Sequence, residues 1–287
     1  MLAIFKRELK VYFSSPTGYV FMGMFLLIAG IFFAFGNILS RSSNFSSFLN
    51  SIQFAFLFVI PVLTMRLMSE ETRQKTDQLL YTSPVKIHEV VLGKYLAALM
   101  LFVITFAISC LYSLVIVFFG DFQVWESLGG ILGFLLIGAS FIAVGTLIST
   151  MTESQAVAGI VTLVTLLIFW LLEPIKGGLP QDATAGLMFA SALALAIVYG
   201  VYTLTKSLVT GGIILAVLAL AIGLLGFFQI DVFTGFISQV IEWFSLLKRQ
   251  ESFVMGLIKL DNVVYYLSFI FVALYLSVRF IEKRRWM

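Results

Sequence analysis

Few of the 287 residues have the chemistry and spacing of a catalytic site. The single histidine, His88, precedes Glu89, but a zinc hydrolase helix of the His-Glu-x-x-His type needs a second histidine. The pattern G-x-x-x-x-G-K-[ST], which cradles nucleotide phosphates, does not occur. No predicted span offers two aspartates, or a serine with a base in reach. We therefore expect no catalytic residue, metal site or cofactor in this chain, and any ATP and Mg²⁺ would be bound by a separate subunit.

The acidic residues near the apolar segments argue against an ion-coupled carrier. Glu153, Glu173 and Asp231 all lie at the ends of predicted spans. Carriers that are coupled to protons or ions generally place ionisable groups inside the membrane. Their absence there favours a permease with an external energy source over a secondary transporter.

The densest group of charged residues is a loop over residues 65–94. Its charges nearly balance, which is not typical of a polybasic lipid-binding segment. Ser69 as N-cap, followed by two glutamates, predicts a helix that runs to about Tyr81. Ser83 as N-cap and Pro84 at the first helical position predict a second helix start. The loop is therefore expected to contain a short cross-helix between two spans.

Apolar residues at the tip of this loop predict a contact surface. Leu79, Leu80 and Tyr81 follow a charged stretch, and an apolar patch with a polar rim is typical of a protein docking site. Packing of the same residues against the protein's own N-terminal helix is an equal alternative.

The first 15 residues predict an amphipathic helix, because apolar residues recur at helical spacing and the cations lie off that stripe. The stripe is Leu2, Phe5, Leu9 and Tyr12, and the cations are Lys6, Arg7 and Lys10. Such a helix lies in the membrane interface with its cations at the headgroups, and a simple basic topogenic anchor is the alternative. Pro16 should end the helix, because proline removes a donor and disfavours a helical residue before it.

Composition places these elements in a membrane. Hydrophobic residues make up 61% of the chain and charged residues 11%, whereas a soluble domain has about 25% charged residues. The net charge of +3 is too small to indicate a nucleic-acid partner. We expect an all-α polytopic integral membrane protein with six to eight transmembrane helices. The candidate spans are 17–39, 52–68, 91–119, 128–150, 156–172, 187–204, 208–230 and 263–281.

The distribution of lysine and arginine predicts that both termini are cytoplasmic. With that orientation most of the 18 basic residues lie on the inner side, as in other membrane proteins. Lys206 is the one basic residue between the apolar stretches 187–204 and 208–230. These two stretches could therefore be a full hairpin or a shallower re-entrant pair.

Local patterns predict how the spans are shaped and joined. Pro61 predicts a kink in the second span, which could serve as a hinge. The G-x-x-x-G pattern at 129–133 predicts close helix packing, either within the chain or between subunits. The serine-rich tract 40–51 is expected to be a short outer loop, and 231–262 an outer interfacial segment with one amphipathic helix that ends before Lys248.

Three stretches carry a family pattern, one at the start, one in the charged loop and one at the end. Their motifs are Lys6-x-Glu8-Leu9-x-x-Tyr12-Phe13-Ser14-Ser15-Pro16, Arg66-x-x-x-Glu70-Glu71-x-x-x-x-Thr76-x-x-Leu79-Leu80-x-Thr82-Ser83-Pro84-Val85 with Gly93-Lys94, and Gly256 through Asp261-Asn262-Val263-Val264-Tyr265-Tyr266 to Glu282-x-Arg284-Arg285-Trp286. These motifs resemble ABC-2 type transporter permeases, most closely the branch typified by gliding-motility permease subunits. The resemblance covers about residues 1–95 and 243–287 and is weak between them.

The resemblance implies a type V exporter-like helical bundle with an N-terminal interfacial helix. Residues 70–85 would contain the coupling helix, which docks into a groove of a separate ATPase subunit. The implied coupling residues are Glu70, Glu71, Arg73, Thr76, Leu79, Leu80, Tyr81, Ser83 and Pro84. Two permeases, identical or paralogous, would pair with two ATPases, and an accessory membrane protein could join them. The family core has six spans, so the apolar pair at 187–230 departs from the pattern.

We therefore expect one transmembrane domain over residues 1–287, in a bacterial or archaeal cytoplasmic membrane. Its segments are the interfacial helix 1–15, four spans with the coupling loop 66–92 over 17–150, the fifth span and an extra apolar hairpin over 156–230, the outer segment 231–262, and the last span with a basic tail over 263–287. The predicted function is the permease subunit of an ATP-driven exporter. A membrane anchor that recruits a soluble partner is the alternative, and a secondary transporter is less favoured.

Overall fold

The computed structural model describes residues 1–74, 86–119, 123–205, 208–228 and 230–285. Within these ranges the regular secondary structure is helical and no strand occurs. By their contacts the residues form two compact units, and the prediction of a single transmembrane domain stays a prediction. The first unit is Met1–Phe169 with Arg249–Met287, and the second is Trp170–Lys248.

Fourteen α-helices follow one another along the described residues. They are α1 (Leu2–Ser14), α2 (Pro16–Phe33), α3 (Phe45–Ile52), α4 (Phe56–Thr64), α5 (Ser69–Arg73), α6 (Ile87–Ser109), α7 (Tyr112–Phe119), α8 (Val124–Met151), α9 (Gln155–Lys176), α10 (Ala183–Thr205), α11 (Leu208–Phe228), α12 (Phe236–Phe244), α13 (Leu246–Val254) and α14 (Leu260–Arg285). A π-helix over Ala34–Leu39 extends α2, and 3-10 turns over Gln53–Ala55 and Ile230–Phe233 precede α4 and α12.

Six helical stretches in the described residues are long and apolar enough to cross a membrane, by length and composition. They are Pro16–Leu39, Phe45–Arg73, Ile87–Phe118, Val124–Met151, Gln155–Lys176 and Leu260–Arg284. Helices α10 and α11 add the shorter apolar stretches Ala183–Ala196 and Ile214–Leu224. The predicted all-α polytopic membrane fold is confirmed.

The second span begins earlier than the sequence predicts, because the end of the serine-rich tract is helical. Residues 40–51 were expected to be a loop, but α3 occupies Phe45–Ile52. Asn44 is its N-cap, and the Asn44 side chain accepts a 2.9 Å hydrogen bond from the backbone N–H of Ser47. The apolar residues of α3 lie on one face and are buried together with Ser46, and the exposed positions between them are Ser47, Asn50 and Ser51.

Replacing Asn44 by alanine should lower the free energy of unfolding by about 1 kcal/mol, because an N-terminal amide of α3 loses its acceptor. Thermal unfolding of the detergent-purified protein would detect this as a lower Tm. Ser47→Ala is the matched control, since it keeps the backbone N–H that Asn44 accepts. An N44A protein that unfolds at the same temperature as S47A would show that the cap does not contribute.

A cluster of buried phenylalanine rings forms the centre of the first unit. It joins α2, α4, α6 and α8, and its rings belong to Phe25, Phe56, Phe102, Phe106 and Phe134. Phe134 lies at its middle, with ring centroids 4.6 Å from both Phe56 and Phe106. Lipid tails are as apolar as these rings, so dispersion contacts in the close packing, rather than exclusion from water, hold the helices together.

The small residues of α8 pack within the chain. A Cβ atom at Gly133 would lie 2.7 Å from the Cβ of Phe253, and one at Gly138 would lie 2.6 Å from a ring carbon of Phe102. The absence of a side chain at Gly133 and Gly138 therefore allows Phe253 and Phe102 to pack directly against α8. Of the two alternatives for the G-x-x-x-G pattern, the structure supports packing inside the chain.

Pro61 lies inside α4 and is buried. It lacks the N–H that would otherwise bond the carbonyl of Leu57 one turn earlier. The predicted role of Pro61 as a hinge stays a prediction.

The segment before the last span contains two short helices where the sequence predicts one. Helix α12 ends at Phe244, and the extended residue Ser245 separates it from α13. The Ser245 hydroxyl accepts a 3.2 Å hydrogen bond from the N–H of Lys248, as an N-cap does. Lys248 and Arg249 therefore lie inside α13 rather than after a helix.

The second unit is held together by contacts of α10 with α11 and of α12 with α10. Polar side chains add to this packing. Glu242 forms ion pairs with Lys176 and with Lys248, and Gln181 donates a 2.7 Å hydrogen bond to Ser238. The second unit is therefore stabilised by contacts among its own residues.

Candidate functional site

The N-terminal helix α1 packs against the start of α6. The amino group of Met1 lies 3.7 Å from a carboxylate oxygen of Glu89. A Cβ atom at Gly93 would lie 3.1 Å from Ile4, so the absence of a side chain there brings the two helices together. One side of helix α1 is therefore packed against the first turns of α6.

The predicted break after α1 is confirmed. Helix α1 ends at Ser14, Ser15 is extended, and Pro16 is the first residue of α2. Gly18 permits the turn, because a Cβ atom there would clash with the backbone carbonyl of Tyr12. The chain therefore folds back on itself without a loop.

The two ends of the apolar stripe on α1 have different surroundings. Tyr12 is buried and its hydroxyl donates a 3.4 Å hydrogen bond to the Leu63 carbonyl, and burial raises the pKa of this phenol. Phe5 and Leu9 are half-buried, and Leu2 is 70% exposed. The three predicted cations, Lys6, Arg7 and Lys10, are exposed. The placement of α1 in a lipid interface stays a prediction.

A ring of four charges joins α1, α5 and α6. The Nζ of Lys94 lies 3.0 Å from Oε1 of Glu71 and 3.7 Å from Oε1 of Glu8. The guanidinium of Arg7 contacts the same two oxygens, at 2.6 Å from Glu8 and 3.2 Å from Glu71. Lys94 also donates a 2.7 Å hydrogen bond to the carbonyl of Leu67. We call these four residues the ion ring.

The ion ring satisfies a buried cation. The side chain of Lys94 is 3% exposed, against 14% for Glu8 and 19% for Glu71. A buried charge without partners is strongly unfavourable, so the two carboxylates and the carbonyl are what make Lys94 tolerable there. Hydrogen bonding to Glu8 is the main reason that the pKa of Arg7 is raised.

Arg66 joins a second set of elements beside the ion ring. Its Nη1 donates a 2.9 Å hydrogen bond to Thr17 at the start of α2, and its Nε donates a 3.1 Å hydrogen bond to Gln155 at the start of α9. The backbone N–H groups of Met68 and Ser69 both donate to the hydroxyl of Ser149 in α8, at 3.0 and 3.2 Å. The chain from Arg66 to Glu71 is therefore fastened to several helices at once.

The start of α5 differs from the predicted one. Ser69 was expected to be the N-cap, but it is the first helical residue and Met68 holds the cap position. The Ser69 hydroxyl instead donates to the carbonyl of Met65. The cap comes from Ser149, a residue 80 positions later that no local pattern identifies.

The structure separates the predicted coupling residues into three groups. Glu71 belongs to the ion ring, whereas Glu70 and Arg73 form a more exposed pair, 3.1 Å apart. Their role at an ATPase surface stays a prediction. The others, which are Thr76, Leu79, Leu80, Tyr81, Ser83 and Pro84, lie outside the described residues. Helix α6 begins at Ile87 after an extended Lys86, and the helix start predicted at Ser83 and Pro84 also lies outside the described residues.

An open pocket of about 860 Å³ lies beside the ion ring. Its lining residues come from α1, from the start of α2, from the stretch around α5, and from the starts of α6 and α9. The charged side chains of the pocket are Arg7, Glu8, Arg66, Glu70, Glu71, Arg73 and Lys94. Among the described residues, no group of three or more His, Cys, Asp and Glu side chains could hold a metal ion.

The class of protein follows from these features: an all-α membrane protein with several spans and a charged cluster at the ends of its helices. Residues 37–176 match the family model described as ABC-2 family transporter protein. The match covers just under half of the chain and runs from the end of the first span to the end of α9. It supports an ABC transporter permease, and it includes Arg66, Glu71 and Lys94.

No curated protein matches the chain. The family match does not distinguish the gliding-motility branch, which stays a prediction.

Proposed function

We propose that this chain is the permease subunit of an ATP-binding-cassette exporter. A separate ATPase supplies the energy, and two permeases, identical or paralogous, assemble with two ATPase subunits in a bacterial or archaeal cytoplasmic membrane. The ABC-2 family match supports the permease role, and the absence of a phosphate-binding motif in the sequence is the reason for a separate ATPase. ATP and Mg²⁺ would be bound on that partner.

The observation that carries the proposal is the number of hydrogen bonds and ion pairs that join residues 66–71 to other helices. Within this short stretch, hydrogen bonds and ion pairs reach five other helices: α1 through Arg7, α2 through Thr17, α6 through Lys94, α8 through Ser149 and α9 through Gln155. A loop that only connects two spans does not need such contacts. A loop that receives a force and distributes it to the bundle does.

The mechanism that we propose is mechanical. Closure of the two ATPases on ATP moves residues 70–85, where Glu70 and Arg73 contact the ATPase and Leu79, Leu80 and Tyr81 supply the apolar anchor. Movement of this segment shifts spans two and three between two packings, a rigid-body transition of the kind seen in other coupled proteins. The contacts from Arg66 to Glu71 extend the shift to the first, fourth and fifth spans.

The proposal is tested by co-expressing this chain with any P-loop ATPase that is encoded beside it. The tagged chain should co-purify that ATPase, and the complex in liposomes should hydrolyse ATP at a rate different from that of the ATPase alone. A membrane anchor, the alternative, would bind the ATPase and leave its turnover unchanged. Failure of every neighbouring P-loop protein to bind would refute the permease proposal.

A further inference from the structure

Lys94 is a buried cation in a chain where charged residues are scarce. It lies in the second turn of α6, where the other buried residues of the helix are mostly apolar or small. Its side chain is almost completely buried. Burying an ammonium group is strongly unfavourable unless its partners are well placed. A methionine or leucine would fill the same space at no such cost, so the charge itself needs an explanation.

The ion ring is closed, since each of its cations contacts each of its anions. Going round, the distances are 2.6 Å from Arg7 to Glu8, 3.7 Å from Glu8 to Lys94, 3.0 Å from Lys94 to Glu71, and 3.2 Å from Glu71 to Arg7. Arg7 and Glu8 belong to α1, Glu71 to α5 and Lys94 to α6. The loss of any member leaves two like charges sharing one partner, and this favours separation of the helices.

We propose that Lys94 is the positioning residue that fixes α5 to α1, so that the two helices move as one body on the start of α6. This rests on the proposed function, in which α5 begins the segment that the ATPase displaces. The force applied to α5 then reaches the N-terminal helix through the ion ring, at the start of the third span. Helix α1 becomes a moving part of the permease rather than a passive attachment to the membrane.

The geometry of α5 favours this transmission over independent movement. Helix α5 has only five residues, from Ser69 to Arg73, and so short a helix is not stable by itself. It depends on the Ser149 cap at one end and on the ion pairs of Glu71 in its first turn. Displacement of α5 therefore either carries its charged partners with it or exposes Lys94.

The first test uses the permease alone, by hydrogen–deuterium exchange measured by mass spectrometry in detergent or nanodiscs. Glu71→Gln in α5 should raise amide exchange in α1 about tenfold, and Glu8→Gln in α1 should do the same in residues 66–74, because each opens the ion ring. Lys94→Met should raise exchange in both. The change in the helix that was not mutated is the decisive readout.

Arg73→Met is the matched control. It also removes one ion pair from α5, but this pair is on the surface, with Arg73 61% exposed, and surface pairs contribute little. Exchange in α1 should stay at the wild-type rate in this variant. If Glu71→Gln affects α5 alone and Glu8→Gln affects α1 alone, the two helices are independent and the inference is wrong. Both glutamine variants keep the shape of the side chain, so they decide the question even if Lys94→Met does not fold.

The second test uses the complex with the ATPase, trapped with ADP and vanadate. Trapping should change exchange in both α5 and α1 of the wild-type permease, and in Lys94→Met it should change α5 only. A wild-type α1 that does not respond while α5 does would overturn the inference. A complex in which trapping changes neither helix would count against the proposed function, and the exchange of the permease alone would still decide whether the ion ring joins α1 to α5.

Discussion

A permease in which Leu79, Leu80 and Tyr81 are all replaced by serine should no longer co-purify with its ATPase, although it still inserts into the membrane. Apolar anchors in a docking surface carry much of the binding energy, so the loss of three should weaken the complex by about 4 kcal/mol, or roughly a thousandfold. Affinity purification from solubilised membranes measures the effect, and size-exclusion chromatography of the permease shows whether it is folded.

The design leaves Glu71 unchanged, although the sequence also assigns it to the docking surface. Its carboxylate holds Lys94 in the ion ring, so its replacement would combine a folding defect with a docking defect. The matched control is a second triple serine variant, at Leu257, Ile258 and Leu260. These residues are more than half exposed, and their replacement also removes three large apolar side chains, elsewhere in the chain. If both variants co-purify with the ATPase to the same extent, residues 79–81 do not belong to the docking surface.

Gly145→Leu should strongly destabilise the packing of the second span against the fourth. A Cβ atom at position 145 would lie 2.7 Å from the Cβ of Thr64 and 2.8 Å from its Cγ2. Thr64 cannot give way, because it is fully buried and its hydroxyl donates a 2.9 Å hydrogen bond to the Ile60 carbonyl. Overpacking of a rigid core costs about 1–3 kcal/mol and sometimes more, and we expect about 3 kcal/mol at this contact of α4 with α8.

Gly23→Leu is the control for that substitution. Nothing lies within 4 Å of the position that a Cβ atom would take at Gly23, and leucine favours helix over glycine equally at both sites. The difference between the two Tm values therefore reports the clash alone. A G145L permease as stable as G23L would mean that α4 and α8 can separate at little cost, contrary to the tight packing of the first unit.

The spans and the break at Pro16 could be predicted from the sequence, because both depend on neighbouring residues. Long apolar runs decide where a helix can cross a membrane, and a proline acts on the residue before it. The predicted start of the second span was wrong, because the serine-rich tract 40–51 was interpreted as a loop although its second half is helical. Its signal was present in the N-cap Asn44 and in the spacing of the apolar residues after it.

The ion ring and the cap of α5 could not be predicted, because their members are far apart in the chain. Lys94 meets Glu8 across 86 positions, and Ser149 meets Ser69 across 80. A single lysine near the end of a span is more simply read as a residue at the headgroups. Only the folding of α1 onto α6 shows that it is buried.

The hydroxyl of Ser149 makes the start of α5 conditional on the membrane helix α8. Two amides that a helix usually caps with its own chain are here satisfied by a side chain from a span. Coupling between two equilibria is reciprocal. If a change in the packing of α8 alters the stability of α5 by some free energy, a ligand that stabilises α5 alters the packing equilibrium of α8 by the same free energy. A change in the packing of α8 should therefore change the stability of α5, and a change in α5 should change the packing of α8.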